Sequence, residues 1–321
     1  MLALIAAAAQ PMVPSDIQTV TTLDGWTLPL RHYAGAGRPV LLVHGLGVNH
    51  YNFDWRPDVS LAWWLQVRGW DVWVTTLRGD DGTVPPDPKT RSWTFEDHAR
   101  KDLPAVVDTI LARTGAAQLD WVGHSMGGML LYAALSEIPE KIGSGVAICS
   151  PARFREITRL QRAGRGLRFL VAGAGRLRIR ALRPSMRTLE RGDPMVQVLS
   201  NPANMAPDVA KGLMADAATD VPNAVGREVF RWLDRGILDD ATGRDWVQPV
   251  DVPLLVMGGS VDRFVPWQNA AAACEIYPRC TFRLLGTASG LSVEYGHVDP
   301  TIGRTAEAEI YPMIGAFLGH P

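Results

Sequence analysis

Lysine is scarce in this chain of 321 residues. Nearly all of its 32 lysine and arginine residues are arginine, and the lysines are Lys89, Lys101, Lys141 and Lys211. Because 33 aspartates and glutamates offset these cations, the formal net charge is −1 at pH 7, and no overall field favours nucleic acid as a partner. With 47% hydrophobic and 20% charged residues, the composition is typical of a globular chain rather than a disordered one.

Cysteine is scarce as well. The three cysteines are Cys149, Cys274 and Cys280. Such a small and odd number argues against a disulfide framework. A bridge between Cys274 and Cys280 stays open as an alternative, but the short stretch between them crosses a predicted helix end, so we expect free thiols.

Long apolar runs are absent. No stretch reaches the roughly eighteen apolar residues that a membrane-spanning helix requires, so none is predicted. Residues 1–10 are apolar like the end of a secretory signal, but they lack the preceding positive charge of such signals. We expect a loosely packed or disordered arm there and a cytoplasmic protein, with an exported protein that carries a trimmed leader as the alternative.

Short apolar runs alternate with helical patterns along most of the chain, without an internal repeat. This alternation predicts an α/β fold with a mostly parallel sheet flanked by helices. Asp24-Gly25 predicts a hairpin between strands 17–20 and 27–33. Further strands are predicted at 39–44, 70–77, 119–123, 144–149, 252–258 and 280–285, and helices at 60–68, 95–113, 126–136 and 305–318.

The alternation stops between residues 151 and 249, where Pro-punctuated helical pieces occur without clear strands. We therefore predict a core of residues 1–150 and 250–321, interrupted by a helical insertion at 151–249. The first part of the insertion, residues 151–191, holds twelve arginines against Glu156 and Glu190. This Arg-rich segment is interpreted first as a solvated face, with weak contact to anionic membranes or to an acidic substrate as alternatives.

Gly123-His124-Ser125-Met126-Gly127 matches the pattern G-x-S-x-G directly after a predicted strand and before a predicted helix. In that context the serine lies on a strained turn, and side chains at Gly123 and Gly127 would collide with neighbouring backbone. The following helix directs its first amides towards the reacting oxygen. Ser125 is therefore the predicted nucleophile.

A serine nucleophile needs a base, and the base needs an acid that orients it. On such a sheet the acid and then the histidine follow the serine in chain order. His297, in a loop after the last strand, is the predicted base, since only the terminal His320 otherwise follows Ser125. Asp262, in the loop after strand 252–258, is the predicted acid, and Asp299 is its rival.

The oxyanion that forms during attack needs aligned hydrogen-bond donors. We assign the backbone amides of Leu46, in the loop after strand 39–44, and of Met126, with Gly47 as the alternative to Leu46. His44 lies at a buried strand end and is interpreted as a structural histidine rather than a base. No cofactor and no metal ion are predicted.

Together these residues resemble the α/β-hydrolase superfamily over nearly the whole chain outside the insertion. Within it, the sequence is similar to the acid lipases and related bacterial esterases. The similarity lies in Leu42-Val-His-Gly-Leu46, in the strand that ends before Arg78-Gly79, and in Asp102-Leu103-Pro104. It departs from that branch at Met126, where glutamine is common, and it lacks a clear counterpart of the paired cysteines of the secreted lipases.

The resemblance implies a carboxylic ester hydrolase with an acyl-enzyme intermediate, acting on a small-molecule or lipid-like ester. Lactone, thioester or polyester hydrolysis, and less plausibly a non-enzymatic binding protein or a scaffold, stay open. Dehalogenases and epoxide hydrolases of this fold use an aspartate nucleophile, which the serine here disfavours. The insertion would serve as a cap with an apolar pocket. Candidate lining residues, or alternatively residues of the cap core, are Met186, Met195, Met205, Met214, Phe230 and Trp232.

Overall fold

The computed structural model describes residues 12–159, 161–162, 176–190 and 192–319. The arm predicted at residues 1–10 lies outside these ranges, as does part of the Arg-rich segment.

Eight strands of the described chain form one sheet, and two short strands pair separately. The sheet order is β1-β2-β4-β3-β5-β6-β9-β10. Strands β1 and β2 form an antiparallel hairpin, and the other six strands of this sheet are parallel to one another. The mostly parallel sheet predicted from sequence is confirmed. The strands are β1 Asp16–Thr21, β2 Thr27–Tyr33, β3 Pro39–Val43, β4 Asp71–Thr75, β5 Leu119–His124, β6 Ile142–Ile148, β7 Arg176–Leu177, β8 Val221–Pro222, β9 Leu254–Gly259 and β10 Cys280–Leu285.

Helices cover both faces of the sheet, and strand β3 shows why. All five of its residues are buried, with Leu41 and Val43 in one apolar core and Val40 and Leu42 in the other. Alternating side chains on a two-sided strand require a helical layer on each face. The helices are α1 Tyr51–Asp54, α2 Leu61–Gln66, α3 Phe95–Asp97, α4 Leu103–Thr114, α5 Met126–Glu137, α6 Arg183–Met186, α7 Pro194–Leu199, α8 Pro207–Ala217, α9 Asn223–Arg235, α10 Trp267–Ala271, α11 Asp299–Ile302 and α12 Ala306–Leu318.

The helix predicted at 95–113 is interrupted. A π-helical turn at His98–Asp102 separates α3 from α4, just before Pro104 at the second position of α4. Proline lacks the N–H that an uninterrupted α-helix would use there, so the change of helical geometry lies where proline is tolerated.

Arg78 and Asp102, which lie in two of the stretches that resemble the acid lipases, contact each other in the fold. The Arg78 guanidinium donates to Asp102 from Nε at 2.8 Å and to Asp24 from Nη1 at 2.8 Å, and its side chain is almost fully buried. His98 also contacts the other oxygen of Asp102. A buried guanidinium is tolerated only when its donors are paired, so this cluster fixes the β1–β2 hairpin against the helix that contains Asp102.

Between β6 and β9 the longest regular elements of the described residues are helices, α6 to α9. The expectation of no strands there needs a small correction, because β7 and β8 pair over two residues each. Strands of two residues carry almost no alternating pattern, so hydrophobic periodicity cannot detect them. This part of the chain contributes many of the residues that line the cavities beside Ser125.

The expectation of free thiols at Cys274 and Cys280 is wrong, because the structure joins the two in a disulfide. A 3₁₀ turn at Ala272–Glu275 reverses the chain immediately before β10, and this brings the two Cα atoms to 4.9 Å. That separation lies within the usual range for a bridge. Cys149 is free and buried.

The described arginines of the Arg-rich segment are largely neutralised. Carboxylates distant in sequence face them, and two of these, Asp81 and Glu275, lie outside residues 151–249. Such pairing reduces the cationic field that composition alone suggests. The ion pairs are Arg153 with Asp245, Arg155 with Glu275, Arg176 with Asp220, Arg180 and Arg183 with Asp81, and Arg187 with Asp216.

Glu228 joins α9 to the core. Its buried carboxylate accepts a hydrogen bond from the Phe95 amide at 2.7 Å, and burial raises its pKa to about 7 from the ordinary 4.5. A raised pKa means that folding favours the protonated form. The stabilising contribution of Glu228 is therefore complete below about pH 4.5 and is lost as the pH rises through about 7.

We therefore expect Glu228→Gln, which keeps an acceptor without the charge, to be more stable than the parent at alkaline pH. The difference should be near zero at about pH 4 and should approach about 3 kcal/mol above about pH 8. Urea unfolding at the two pH values measures it. The exposed Glu140→Gln is the matched control, and a pH-independent difference for Glu228→Gln would contradict this account.

Candidate active site

Ser125 lies between β5 and α5 with a φ of 53°, one of two non-glycine residues with positive φ in the described chain. Its amide donates to the Ile148 carbonyl at 2.8 Å, which ties the turn to the neighbouring strand β6. Left-handed backbone is costly for serine, so surrounding structure must hold it. The turn raises the hydroxyl above the carboxyl edge of the sheet.

The glycines of the motif are required sterically, as predicted. A Cβ atom at Gly123 would clash with the Gly127 backbone, and one at Gly127 would clash with the Val43 carbonyl. Clashes with backbone cannot be relieved by a rotamer change. The close approach of β3, β5 and α5 therefore depends on these two glycines.

The structure brings the predicted base and acid to the serine. His297 Nε2 lies 3.0 Å from Ser125 Oγ, and His297 Nδ1 lies 2.8 Å from Asp262 Oδ2. The other Asp262 oxygen accepts from the amides of Phe264 and Val265, each at 2.8 Å. The Asp262 side chain is fully buried and that of His297 is 5% exposed, so both are fixed by packing as well as by hydrogen bonds.

Asp299, the rival acid, has a different place. Its Oδ2 accepts from the Gly296 and Asn201 amides, each at 2.7 Å, rather than from His297. Burial raises the pKa of Asp299 to about 7 despite these donors. The carboxyl group thus joins the histidine loop to the segment that contains Asn201.

The residues of the predicted oxyanion site lie beside the nucleophile. Leu46 and Met126 line a cavity together with Ser125, and Gly47 lines a second cavity that also contains Leu46. His44 is buried, its Nε2 accepts from the Leu77 amide at 3.1 Å, and its Nδ1 lies 2.9 Å from the Gly45 carbonyl. Both ring nitrogens of His44 are thus engaged at the strand end.

Sequence reasoning missed His124, the variable position of the motif. Its Nε2 lies 2.9 Å from the His297 carbonyl, and its Nδ1 lies 2.9 Å from the Asn52 side-chain amide. Complete burial lowers the pKa of His124 to about 3, so the ring is neutral at pH 7. The His297 carbonyl and Asn52 Oδ1 both only accept, so the single proton of the neutral ring is donated to one of them. Asn52 in turn contacts the Gly45 amide and Thr301, so one side-chain pair connects three loops around Ser125.

Loss of this connection should impair turnover more than binding. We expect His124→Ala to lower kcat by about 10- to 100-fold with a smaller change in KM, because misplacement of the base by about 1 Å has that scale of effect. Steady-state kinetics on a soluble ester measure both constants. His32→Ala is a control at the opposite edge of the sheet, where His32 pairs with Asp71. An unchanged kcat for His124→Ala would contradict a positioning role.

Two apolar cavities open beside Ser125. The larger has a volume of about 610 Å³ and the smaller about 350 Å³. Of the predicted lining residues, Met186, Met195, Met214 and Phe230 line the larger cavity, and Trp232 lines the smaller. Met205 instead is fully buried in an apolar cluster, which agrees with the alternative interpretation as a residue of the cap core.

One group of described side chains could hold a metal ion by proximity alone. Cys149, Asp262 and His297 place possible ligand atoms within 4.8 Å of one another. The His297–Asp262 hydrogen bond already uses two of these groups. Burial raises the pKa of the Cys149 thiol well above its ordinary value, and a neutral thiol is a poor ligand. We assign no metal to this group.

The family model for the alpha/beta hydrolase fold matches residues 38–288, which is most of the chain. This chain belongs to the α/β-hydrolase fold family. The fold class and the family predicted from sequence are therefore confirmed.

No helix in the described part of this hydrolase-fold chain has both the length and the apolar character to cross a membrane.

Among curated relatives, gastric triacylglycerol lipase of Bos taurus is 32% identical over 142 residues, which are 39% of this chain and 36% of that protein. Lipase member K of Homo sapiens is 34% identical over 143 residues, 40% of this chain and 36% of that protein. The matched segment thus spans about a third of each lipase.

Solved structures match over a much longer part of this hydrolase-fold chain. A thermophilic esterase from Thermogutta terrifontis has a TM-score of 0.63 at 18% identity, covering 96% of this chain and 100% of that one. An esterase from Exiguobacterium antarcticum has a TM-score of 0.65 at 15% identity, covering 94% and 99%. At these identities the likeness concerns the fold.

Proposed function

We propose that this chain is a serine hydrolase that cleaves carboxylic esters. The observation that carries the proposal is the continuous hydrogen-bonded line from Ser125 Oγ through His297 to Asp262. A hydroxyl within hydrogen-bond distance of an imidazole, which is itself oriented by a buried carboxylate, is the arrangement that acyl transfer requires. Lipases and esterases among the similar proteins support the same reaction class.

In the proposed reaction, His297 Nε2 takes the proton of Ser125 as Oγ attacks the ester carbonyl carbon. The amides of Leu46 and Met126 donate to the oxyanion. His297 then gives the proton to the alcohol oxygen, the carbon–oxygen bond breaks, and the acyl group stays on Ser125. Water attacks this acyl-enzyme with His297 again as base, which releases the carboxylic acid and restores Ser125.

Residues 151–249 act as the cap in this proposal. Met186, Met195 and Met214, all within that range, line the larger cavity. Apolar walls above Ser125 exclude water from the acyl-enzyme except the molecule that reacts. Flexible methionine side chains suit acyl or alcohol groups of varied shape.

A panel of p-nitrophenyl esters with short to long acyl chains, assayed beside triglyceride emulsions, tests the reaction class. We expect turnover of dissolved esters, together with labelling of Ser125 by a fluorophosphonate probe. Hydrolysis of lactones, thioesters or polyesters by the same Ser125 would broaden the substrate class without changing the mechanism. No turnover of any ester and no labelling would instead favour a binding protein.

We propose only a weak contact between the Arg-rich segment and anionic membranes, since its described arginines are largely paired. Activity on anionic vesicles should fall by about two- to threefold between about 0.05 and about 0.5 M salt, because salt screens exposed charges over that range. Zwitterionic vesicles are the control. Activity on anionic vesicles that does not depend on salt would contradict any such contact.

A further inference from the structure

We propose that the two cavities divide the ester between them, the smaller holding the acyl group and the larger the alcohol group. The inference rests on the proposed function and names its substrate class. That class is an uncharged ester that is apolar on both sides of the carbonyl and bulkier on the alcohol side.

The two cavities meet at the nucleophile. Five residues line both of them and so lie between them: Leu46, Ser125, Val229, Phe230 and Phe264. The Ser125 hydroxyl can therefore be reached from either cavity. Val229 and Phe230 of α9, together with Phe264 of the loop that contains Asp262, separate the two cavities. A carbonyl carbon bonded to Oγ at this junction directs its two substituents into different cavities.

The position of His297 decides which substituent enters which cavity. His297 lines the larger cavity and is absent from the walls of the smaller one. The leaving oxygen must receive its proton from His297 Nε2, so the alcohol group has to lie on the histidine side. Met126, whose amide is a proposed oxyanion donor, lines the smaller cavity. The acyl chain then extends away from His297, past Met126.

The walls define the chemistry of both groups. No aspartate, glutamate, lysine or arginine lies among the described residues that line either cavity. A charged substituent would lose its hydration there without a partner, at a cost of several kcal/mol. The smaller cavity is formed largely by Met126, Met129, Phe154, Val225, Trp232 and Leu233. Both substituents are thus apolar, and the volumes of about 350 and 610 Å³ make the alcohol part the larger.

Two identical substitutions test the assignment. Met129 of α5 lines only the smaller cavity and Met214 of α8 only the larger, so Met129→Trp and Met214→Trp add the same indole bulk to one cavity each. Each variant is assayed on p-nitrophenyl esters of increasing acyl length and on acetate esters of increasing alcohol length. The readout is the ratio of kcat/KM between the longest and the shortest ester of each series.

We expect Met129→Trp to lower the long-to-short ratio by about tenfold or more in the acyl series, and Met214→Trp to do so in the alcohol series. The opposite pattern would overturn the assignment, and equal effects of both variants on both series would overturn the division itself. Leu23→Trp, at a side chain 92% exposed in the hairpin turn, is the matched control.

Labelling of Ser125 by a small fluorophosphonate, measured on each variant, shows whether the site is folded. Should a tryptophan variant fail to label, the smaller changes Met129→Phe and Met214→Phe take its place in the same comparison. Failure of the proposed function has a different signature, because the parent protein would then neither hydrolyse esters nor label. Hydrolysis with unshifted ratios in the variants would overturn only the present inference.

Discussion

Ser125→Ala should reduce kcat on a soluble ester by about 10⁶-fold, to a residual rate that still exceeds the uncatalysed one because the oxyanion donors and the cavities remain. Alanine lacks the hydroxyl oxygen that lies 3.0 Å from His297 Nε2. Background from a contaminating esterase is the main experimental risk at this level. The variant is therefore treated first with a fluorophosphonate, which inactivates contaminating serine esterases but finds no nucleophile at position 125, and the excess reagent is removed before the assay.

The substitution is small enough to separate chemistry from folding. Ser125 has positive φ, and alanine meets the same backbone cost there as serine. Unfolding by urea should therefore be almost unchanged, which distinguishes lost chemistry from lost structure. Ordinary esterase activity in a folded Ser125→Ala protein would contradict the proposed nucleophile.

Asp262→Asn should lower kcat by about 10⁴-fold, and Asp299→Asn by less than about tenfold. Asparagine at 262 cannot stabilise the imidazolium at His297 and favours the wrong tautomer, because its amide donates where the carboxylate accepts. At 299 an uncharged oxygen can still accept from Gly296 and Asn201, and the parent carboxyl is already partly protonated near pH 7.

The comparison of these two isosteric changes decides between the acid and its rival. Both are measured at pH 7 with circular dichroism as a check on folding. A larger loss at Asp299 than at Asp262 would reverse the roles, whatever the hydrogen bond from His297 suggests. A loss of similar size at both positions would mean that the two carboxyls act as one coupled pair.

Local patterns predicted the parts of this molecule that depend on neighbouring residues. The elbow at Ser125 follows from a strand, two glycines and a helix in sequence, and the steric reason for those glycines is confirmed by the contacts that a Cβ would make. The two-sided burial of β3 follows from its continuous apolar run. Periodicity carries this information because each pattern lies within one element.

Features that depend on distant parts of the chain could not be predicted in this way. The disulfide at Cys274 depends on how the chain turns before β10 rather than on sequence separation. The arginines near residue 180 suggested a cationic face, yet Asp81 and Asp216 reach them from other parts of the fold. Composition along a segment does not show which charges the fold brings opposite it.

His124 shows the same limit within the site itself. The motif allows any residue there, so nothing in the sequence indicates that its ring contacts the His297 carbonyl and the Asn52 amide. The position of Phe230 and Phe264 between the two cavities beside Ser125 is equally a property of the folded chain. Long-range contacts of this kind are decided by packing after the elements have formed.

The central claim is that Ser125 carries the acyl group between two half-reactions. Acid quenching of the protein within milliseconds of mixing with a p-nitrophenyl ester, followed by peptide mass spectrometry, tests it most directly. The account predicts the mass of the acyl group on the peptide that contains Ser125, and its absence from the Ser125→Ala protein. Turnover of the ester without a covalent adduct, or an adduct on another residue, would contradict the account.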